Sequence, residues 1–156
     1  MSDMLVRLYD LPPFEPALAR AAEKGVSVRR PFACERHIVL AWIRENFTRG
    51  WADECAAAFA SMPVSCFIAV KGGELMGFAC YDVTSRGFFG PVGTAEKARG
   101  SGLGKALLLR SLHALREQGY AYGIIGWAGP KEWFAKTVGA VEIAGSEPGF
   151  YKGLIK

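Results

Sequence analysis

The sequence predicts a single domain with an α+β (mixed α/β) fold, in which helices flank a largely antiparallel sheet. The chain has 156 residues, of which 51% are hydrophobic and 22% charged, and this length and composition support one buried core. Short segments of strand character are interspersed with longer segments of helical period. Glycine-containing turns join successive strand segments in the middle of the chain, which favours antiparallel pairing there.

The first part of the chain contains two short strand segments and a helical region. Residues 4–9 alternate apolar and polar side chains and read as a strand, as do residues 26–31. Residues 16–24 between them read as a short helix. Residues 33–63 carry helical spacing with a break near Thr48, and periodicity alone allows either two helices or one kinked helix.

The second part of the chain predicts a run of strands followed by alternating helices and strands. The segments are strands at 65–71, 75–84 and 88–95, a helix at 103–117, a strand at 120–128, a helix at 130–138, and closing strands at 139–145 and 149–155. Pro91 and Gly93 weaken the pairing of the third strand, which predicts a bulge or bend there.

Composition argues against several functional classes. The net charge is +4, but Lys and Arg are scattered without a run of five, so we expect no nucleic-acid partner. No apolar run is long enough to span a bilayer, so we expect no membrane partner. The two histidines provide too few ligands for a His-based metal site, and we expect no metal.

The cysteines indicate a reducing environment. None of the four belongs to a C-x-x-C pair, and the first residues lack the apolar core of a signal peptide. We therefore expect a cytoplasmic protein with free, buried or half-buried thiols at Cys34, Cys55, Cys66 and Cys80.

The segment "GTAEKARGSGLGKALLLRSL", residues 93–112, predicts an anion-binding loop. Three glycines alternate between Arg99 and Lys105 directly before the strongest helical pattern of the chain. Bare glycine amides at a helix N-terminus, where N–H groups lack intrahelical partners, form a natural phosphate site. A glycine-rich turn without a ligand is the alternative, but each ordered glycine costs about 0.5–1 kcal/mol, which disfavours an idle turn.

Two common phosphate-binding motifs do not fit this spacing. A Walker loop requires a glycine where Arg99 stands and a Ser or Thr where Ala106 stands. A dinucleotide-binding fingerprint requires a third glycine at Lys105 or Leu107.

The loop resembles motif A of the GNAT superfamily of N-acetyltransferases. Arg99, Gly102 and Gly104 match its pattern, Gln/Arg-x-x-Gly-x-Gly/Ala, and the order of strands and helices over residues 66–156 is similar to that of the family. The resemblance implies one acyl-CoA N-acyltransferase domain over residues 1–156. It also implies a central twisted mixed sheet, largely antiparallel, that is splayed between its two central strands.

The same resemblance implies acetyl-CoA as co-substrate. Its pyrophosphate would contact the glycine-containing loop, and its pantetheine arm would lie beside the strand at residues 91–95. The implied CoA-binding residues are Val92, Gly93, Thr94, Arg99, Gly100, Ser101, Gly102, Leu103, Gly104 and Lys105.

The catalytic groups of the family are only partly matched. Many members carry a tyrosine as general acid on the helix after the second central strand, but Phe134 stands at that position here. Tyr151 is the candidate catalytic acid in its place, provided that the last strand folds over the acceptor site. The general base stays open among Asp82, Glu142, Glu147 and a chain of water molecules.

Two groups of residues on the opening helices have alternative interpretations. Four aromatic residues have helical spacing, which favours packing in the core, and substrate contact is the alternative: Trp42, Phe47, Trp51 and Phe59. A second group of residues could either contact a polar substrate or form a solvated helix face, and the sequence does not choose between the two: Arg44, Glu45, Arg49 and Glu54.

We therefore expect an acetyl-CoA-dependent N-acetyltransferase that acts on a primary amine by direct transfer in a ternary complex. The acceptor would be a small molecule or a peptide, and the resemblance makes a homodimer possible. The alternatives are an acyl-CoA-binding sensor or assembly subunit with little or no catalysis, and a fold with a vacant cleft.

Overall fold

The computed structural model describes residues 1–156 and contains a seven-stranded sheet with five α-helices. The elements follow in the order β1 (Met4–Arg7), α1 (Glu15–Glu23), β2 (Val26–Arg29), α2 (Arg36–Asn46), α3 (Arg49–Ala58), β3 (Cys66–Lys71), β4 (Glu74–Tyr81), β5 (Phe88–Thr94), α4 (Leu103–Glu117), β6 (Tyr122–Ile125), α5 (Lys131–Val138) and β7 (Val141–Glu142). The predicted α+β class is confirmed. The helical region before β3 forms two helices, because the Thr48 side chain accepts a hydrogen bond from the N–H of Trp51 and begins α3.

The sheet has the strand order β2-β3-β4-β5-β6-β1-β7. Only the pairing of β5 with β6 is parallel. The predicted bulge is present where β4 pairs with β5: Ala79 opposes Val92, but Tyr81 opposes Phe89, so the register shifts beside the Gly90–Pro91 pair. The predicted mixed, largely antiparallel sheet is therefore confirmed.

The C-terminal part of the sheet differs from the sequence-based expectation. The segment 149–155 forms turns rather than a closing strand, and the strand expected at 139–145 is reduced to the two residues of β7. Two causes explain the difference. The N-terminal strand β1 pairs antiparallel with both β6 and β7 and fills the position beside them. In addition, Gly149 and Gly153 have positive φ angles of 100° and 87°, which interrupt an extended backbone.

Helix α4 and the sheet form the larger of two hydrophobic cores. The helix buries leucines along its length, and each stabilises the fold by about 1.5–3 kcal/mol relative to an exposed position. The buried leucines of α4 are Leu103, Leu107, Leu108, Leu109, Leu112 and Leu115. Helices α1 and α5 contribute to the same 27-residue core. This packing fixes the N-terminus of α4 against the end of β5.

The second core of 11 buried residues lies between α2, α3 and the strands β3 and β4. Three of the four cysteines belong to it, and the sulfur atoms of Cys55, Cys66 and Cys80 lie within 4.8 Å of one another. All four cysteines are free thiols, as expected, but Cys34 is exposed rather than buried or half-buried. Cys34 lies in a short turn before α2, outside both cores. None of the helices combines the length and the apolar character that crossing a bilayer requires.

Gly93 lies under an aromatic ring. Its backbone pairs with Phe78 of β4, so Gly93 does not interrupt the ladder as the sequence suggested. The absence of a side chain has another cause: a Cβ atom at this position would lie 2.5 Å from Cζ of Phe47. The Phe47 ring also stacks on Trp51 with centroids 5.2 Å apart. Gly93 therefore lets the loop between α2 and α3 pack directly on β5.

We predict that Gly93→Ala lowers the free energy of unfolding by about 1–3 kcal/mol, because the new methyl group overpacks the Phe47 ring. Denaturant unfolding measures the change. The double variant Gly93→Ala/Phe47→Leu should recover part of the loss. Gly50→Ala is the matched control, because a Cβ there would meet only Thr48 Oγ1 at 3.9 Å; an equal loss in both single variants would contradict this account.

Candidate functional site

A cleft opens between β5 and β6. The two parallel strands pair only through Phe88 with Ile124 and Phe89 with Ile125, and beyond these residues they separate. A cavity of about 800 Å³ lies at this separation and is lined by β5, the residues after β6, α3, α5 and the C-terminal segment. The predicted splay between the two central strands is present in the structure.

The cleft side of β5 carries unpaired backbone groups. Ala95 donates its N–H to Met76 of β4, one position beyond the pair of Thr94 with Gly77. The alternation of an antiparallel ladder therefore makes Gly93 the next hydrogen-bonded residue. The N–H and C=O groups of Val92 and Thr94 consequently face away from β4. No strand pairs with β5 at these positions, and both residues line the cavity. An extended ligand with amide groups could therefore pair with this edge as a strand would.

The loop between β5 and α4 presents a row of free N–H groups. Gly100 and Gly102 have φ angles of 76° and 88°, a backbone region that glycine adopts without strain. Gly102 is the N-cap of α4. No acceptor in the protein bonds to the N–H groups of Gly100, Gly102, Leu103, Gly104 and Lys105. Free N–H groups at a helix N-terminus bind anions, because the helix dipole adds positive potential there.

Cationic side chains surround this loop. Arg99 is exposed and Lys105 is partly exposed on either side of the glycines. Lys24, at the end of α1, donates a hydrogen bond of 2.8 Å from Nζ to the carbonyl oxygen of Ser101. Sequence reasoning missed Lys24, because its contact with the loop joins residues that are far apart in the chain. The loop therefore combines free N–H donors with nearby positive charge.

The predicted CoA-binding residues fall into two groups in the structure. Val92, Gly93, Thr94 and Gly104 line the cavity, and the other six lie outside the cavity wall, in the loop before α4 or in its first turn. The Leu103 side chain is buried in the core, so only its N–H is available to a ligand. The Ser101 hydroxyl donates to the carbonyl oxygen of Ala98 and stabilises the loop.

A second polar cluster lies in the wall of the same cavity. Glu54 of α3 accepts hydrogen bonds on Oε1 from the Thr84 hydroxyl at 2.8 Å and from the Tyr151 hydroxyl at 2.5 Å. Burial, and next the hydrogen bond to Glu54, raise the pKa of Tyr151 to about 12. Tyr151 is therefore protonated at neutral pH. The sequence-based candidate Tyr151 thus lines the cavity, although it lies on a turn rather than on a strand.

The C-terminal segment is held over the cavity by Trp127. The indole Nε1 donates to the carbonyl oxygen of Pro148 at 2.5 Å, and the ring lies 4.7 Å from that of Tyr151. Gly149 is required here, since a Cβ would lie 2.3 Å from Cδ1 of Trp127. On the other side, Phe150 packs on Phe88 with centroids 4.8 Å apart. These contacts fix the position of the Tyr151 hydroxyl.

Trp127 itself has a strained backbone that the N-terminal strand supports. Its φ angle is 48°, in the left-handed region that a bulky residue rarely adopts. The buried carboxylate of Asp3 accepts the N–H of Trp127 at 2.9 Å, and the carbonyl of Ser2 accepts the N–H of Ala128. The residues before β1 therefore hold the loop after β6 at the cavity wall.

The carboxylates considered for the general base lie outside the cavity. Asp82 accepts the N–H of Gly87 in the turn between β4 and β5. Glu142 bonds to Ser2 and Lys131, and Glu147 pairs with the N-terminal amino group. None of the three lines the cavity, and Glu54 is the only carboxylate that does.

The residues with open interpretations on α2 and α3 separate clearly. Arg44 and Arg49 lie near Asp53 at exposed positions, so these two residues belong to a solvated helix face. Trp51 and Glu54 line the cavity, and Trp42 and Phe47 pack in the aromatic cluster on Phe78. Sequence reasoning could not single out Glu54, because its partners Thr84 and Tyr151 come from distant segments.

A second recess of about 780 Å³ lies between α2, the turn joining β3 to β4, and the residues after β5. Trp42 and Lys97 are among its lining residues, but it contains neither the free N–H groups of the loop nor any residue of β6. The features that suit an extended anionic ligand therefore belong to the cleft between β5 and β6.

Comparisons with known proteins agree with this geometry. The profile of the Acetyltransferase (GNAT) family matches residues 36–131. A GCN5-related glucosamine N-acetyltransferase region of a fungal multi-domain GH3 β-N-acetylglucosaminidase has the same fold, with a TM-score of 0.74, 16% identity, and coverage of 91% of this chain and 19% of the fungal chain. A GCN5-related N-acetyltransferase from Sphaerobacter thermophilus has a TM-score of 0.68 at 17% identity and covers 91% of this chain and 48% of its own.

The chain thus spans less than half the length of either solved structure. The comparison with curated proteins finds no match. The GNAT family transfers acetyl groups and uses acetyl-CoA as co-substrate. Since the family profile covers more than half of the chain, and the splayed sheet matches the fold of these structures, the protein belongs to the GNAT acetyltransferase family.

Proposed function

We propose that the protein is an N-acetyltransferase that transfers the acetyl group of acetyl-CoA directly to a primary amine. The observation that carries this proposal is the continuity of two backbone features along one cleft. The free N–H groups of Gly100 and of residues 102–105 suit a diphosphate, and the open edge at Val92 and Thr94 suits the amide groups of pantetheine.

The residues present fit acetyl-CoA without a change in the fold. A diphosphate needs several donors and positive potential, which the loop with Arg99 and Lys105 provides. The cavity of about 800 Å³ continues from Gly104 along β5 to Tyr151, so the thioester end of the ligand would reach the polar cluster of Glu54, Thr84 and Tyr151. Metal ligands are not needed for this binding mode.

The transfer requires one bond to form and one to break. Water in the open cavity takes one proton from the ammonium, and the neutral amine nitrogen then forms the bond to the acetyl carbonyl carbon. The carbon–sulfur bond breaks, the sulfur leaves as a thiolate that takes up a proton, and the nitrogen releases its second proton, so that the products are the amide, the free thiol and one net proton. A backbone N–H at the open edge of β5 would stabilise the negative charge that develops on the carbonyl oxygen. No part of this route needs a covalent enzyme intermediate.

Tyr151 is the residue that we propose as proton donor to the departing sulfur. Its hydroxyl lies in the cavity wall and carries its proton at neutral pH, as a tyrosine does with or without the upward shift of its pKa. Phe134 stands where many family members have the acid tyrosine, and here its buried ring lines the cavity without a hydroxyl group. The C-terminal turn would therefore replace the family's helix as the source of the acid.

One assay separates transfer from CoA sensing. Free thiol release from acetyl-CoA is measured against a panel of amines, together with calorimetric binding of CoA. Thiol release that depends on the amine supports the proposal. Tight binding of CoA without release for any amine would contradict it and favour an acyl-CoA sensor.

We predict that Gly104→Val lowers the affinity for CoA at least tenfold while the protein stays folded. A Cβ at this position would meet only the far end of Trp133 at 3.9 Å, so the side chain fits but covers the N–H groups at the start of α4. Calorimetry with CoA and with pantetheine, which lacks the diphosphate, is the measurement.

The parent should bind CoA more tightly than pantetheine, and the variant should lose most of that difference. The thermal midpoint of the free variant serves as the folding control. A folded Gly104→Val variant that binds CoA as tightly as the parent would show that the diphosphate lies elsewhere.

We predict that Tyr151→Phe lowers kcat by about 100-fold, the size expected for a lost general acid, with little change in the KM for acetyl-CoA.

The pH dependence of the free energy of unfolding provides a second test of the Tyr151 environment. Because the folded state raises the Tyr151 pKa from 10.0 to about 12, the stabilisation is complete below pH 10 and is lost as the pH rises to 12. Unfolding measured between pH 9 and 12 should show this loss in the parent and a smaller one in Tyr151→Phe; unchanged kcat would exclude Tyr151 as the acid.

A further inference from the structure

The end of the cleft that contains Tyr151, where the acceptor would bind, carries one negative charge within an apolar wall. Glu54 is the only charged side chain that lines the cavity, and no lysine or arginine does. Met1 also lines the cavity, and its amino group pairs with Glu147 at 2.5 Å. Any positively charged group that a ligand places in this part of the cavity must therefore find its partner in Glu54.

The two oxygens of Glu54 differ in their hydrogen bonding. Oε1 accepts from both Thr84 and Tyr151, and these two bonds fix the orientation of the carboxylate. Oε2 accepts no hydrogen bond from the protein. It is also not one of the fully buried polar atoms that lack a partner, so it remains accessible. A half-buried carboxylate that is held by two hydroxyl groups and keeps one free oxygen is suited to accept an N–H bond from a ligand.

The surroundings of Glu54 are aromatic. Trp51 precedes Glu54 by three residues on α3, a spacing that places both side chains on one face of the helix, and both line the cavity. Trp127 packs against Tyr151 with centroids 4.7 Å apart and is 39% exposed. Leu154 completes the apolar wall. A tryptophan face that is partly open to a cavity attracts flat apolar groups and the carbon atoms next to an ammonium.

From this arrangement we infer that the acceptor is a monoamine with an apolar, preferably aromatic, carbon frame, whose ammonium group binds Oε2 of Glu54 between Trp51 and Trp127. The inference rests on the proposed function and names its substrate class. A polyamine would place a second ammonium against apolar walls without a partner. An amino sugar would leave its hydroxyl groups unpaired on the same walls.

The first experiment compares amines with the full-length protein and acetyl-CoA. The inference predicts that kcat/KM for 2-phenylethylamine exceeds the values for spermidine and glucosamine at least tenfold. A higher kcat/KM for spermidine or glucosamine than for 2-phenylethylamine would overturn it.

The second experiment removes the charge of Glu54 and keeps its shape. Glu54→Gln should raise the KM for 2-phenylethylamine about 10- to 100-fold, because the charge-assisted hydrogen bond between Oε2 and the ammonium group of the amine is lost. The KM for acetyl-CoA should stay within about twofold, because Glu54 does not contact the co-substrate in this proposal. Asp53→Asn is the matched control, since Asp53 lies next in the chain but is exposed near Arg44 and Arg49. Equal KM values for 2-phenylethylamine in the parent and Glu54→Gln would overturn the inference.

Binding measurements keep the inference separate from the proposed function. If the parent acetylates no amine, the proposed function fails. Calorimetry with the CoA-loaded protein then measures the affinity for 2-phenylethylamine and for its uncharged analogue 2-phenylethanol. The inference predicts that Glu54→Gln weakens binding of the amine at least tenfold and leaves binding of the alcohol unchanged. Equal effects on both ligands, or no binding of the amine to the parent, would overturn it.

Discussion

The incomplete pairing of β5 with β6 is the constraint on which the rest of the structure depends. Two parallel strands that pair through only two residue pairs leave the outer part of β5 without a neighbour on the side toward β6. Unpaired backbone groups are costly in a dry interior, so this edge must face solvent or a ligand. The cavity, the open N–H and C=O groups of Val92 and Thr94, and the access to the N-terminus of α4 all follow from that separation.

The two ends of the chain build the wall opposite this edge. The residues before β1 hold the loop after β6 through Asp3, and the segment 146–151 packs on Trp127. Tyr151 then meets Glu54 of α3, so that a hydroxyl and a carboxylate from segments far apart in the sequence share one hydrogen bond. In the proposed function, β5 and the loop before α4 would bind the co-substrate, and the residues before β1 together with segment 146–154 would line the acceptor side.

Local sequence patterns predicted the elements that depend on local physics. The leucine period of α4 defined a helix with the observed bounds, and the alternating glycines before it marked a loop with free N–H groups. The strand segments of the central sheet were also recognised. In these cases, side-chain spacing and backbone freedom are readable without knowledge of the distant neighbours.

The remaining features depend on contacts between distant residues, which periodicity does not encode. β1 lies between β6 and β7, and the segment around Tyr151 forms turns, with positive φ angles at Gly149 and Gly153, rather than a further strand. The reason for Gly93 is the ring of Phe47, more than forty positions away. Glu54 looked like any exposed helical carboxylate until Thr84 and Tyr151 were placed beside it.

The most direct test of the account is the response of individual backbone amides to CoA. In a two-dimensional NMR titration of the isotope-labelled protein, the largest chemical-shift changes should occur at the amides of Gly100, Gly102, Gly104, Val92 and Thr94. Changes confined to the recess around Trp42 and Lys97, with these amides unaffected, would contradict the assignment of the cleft between β5 and β6 as the CoA site.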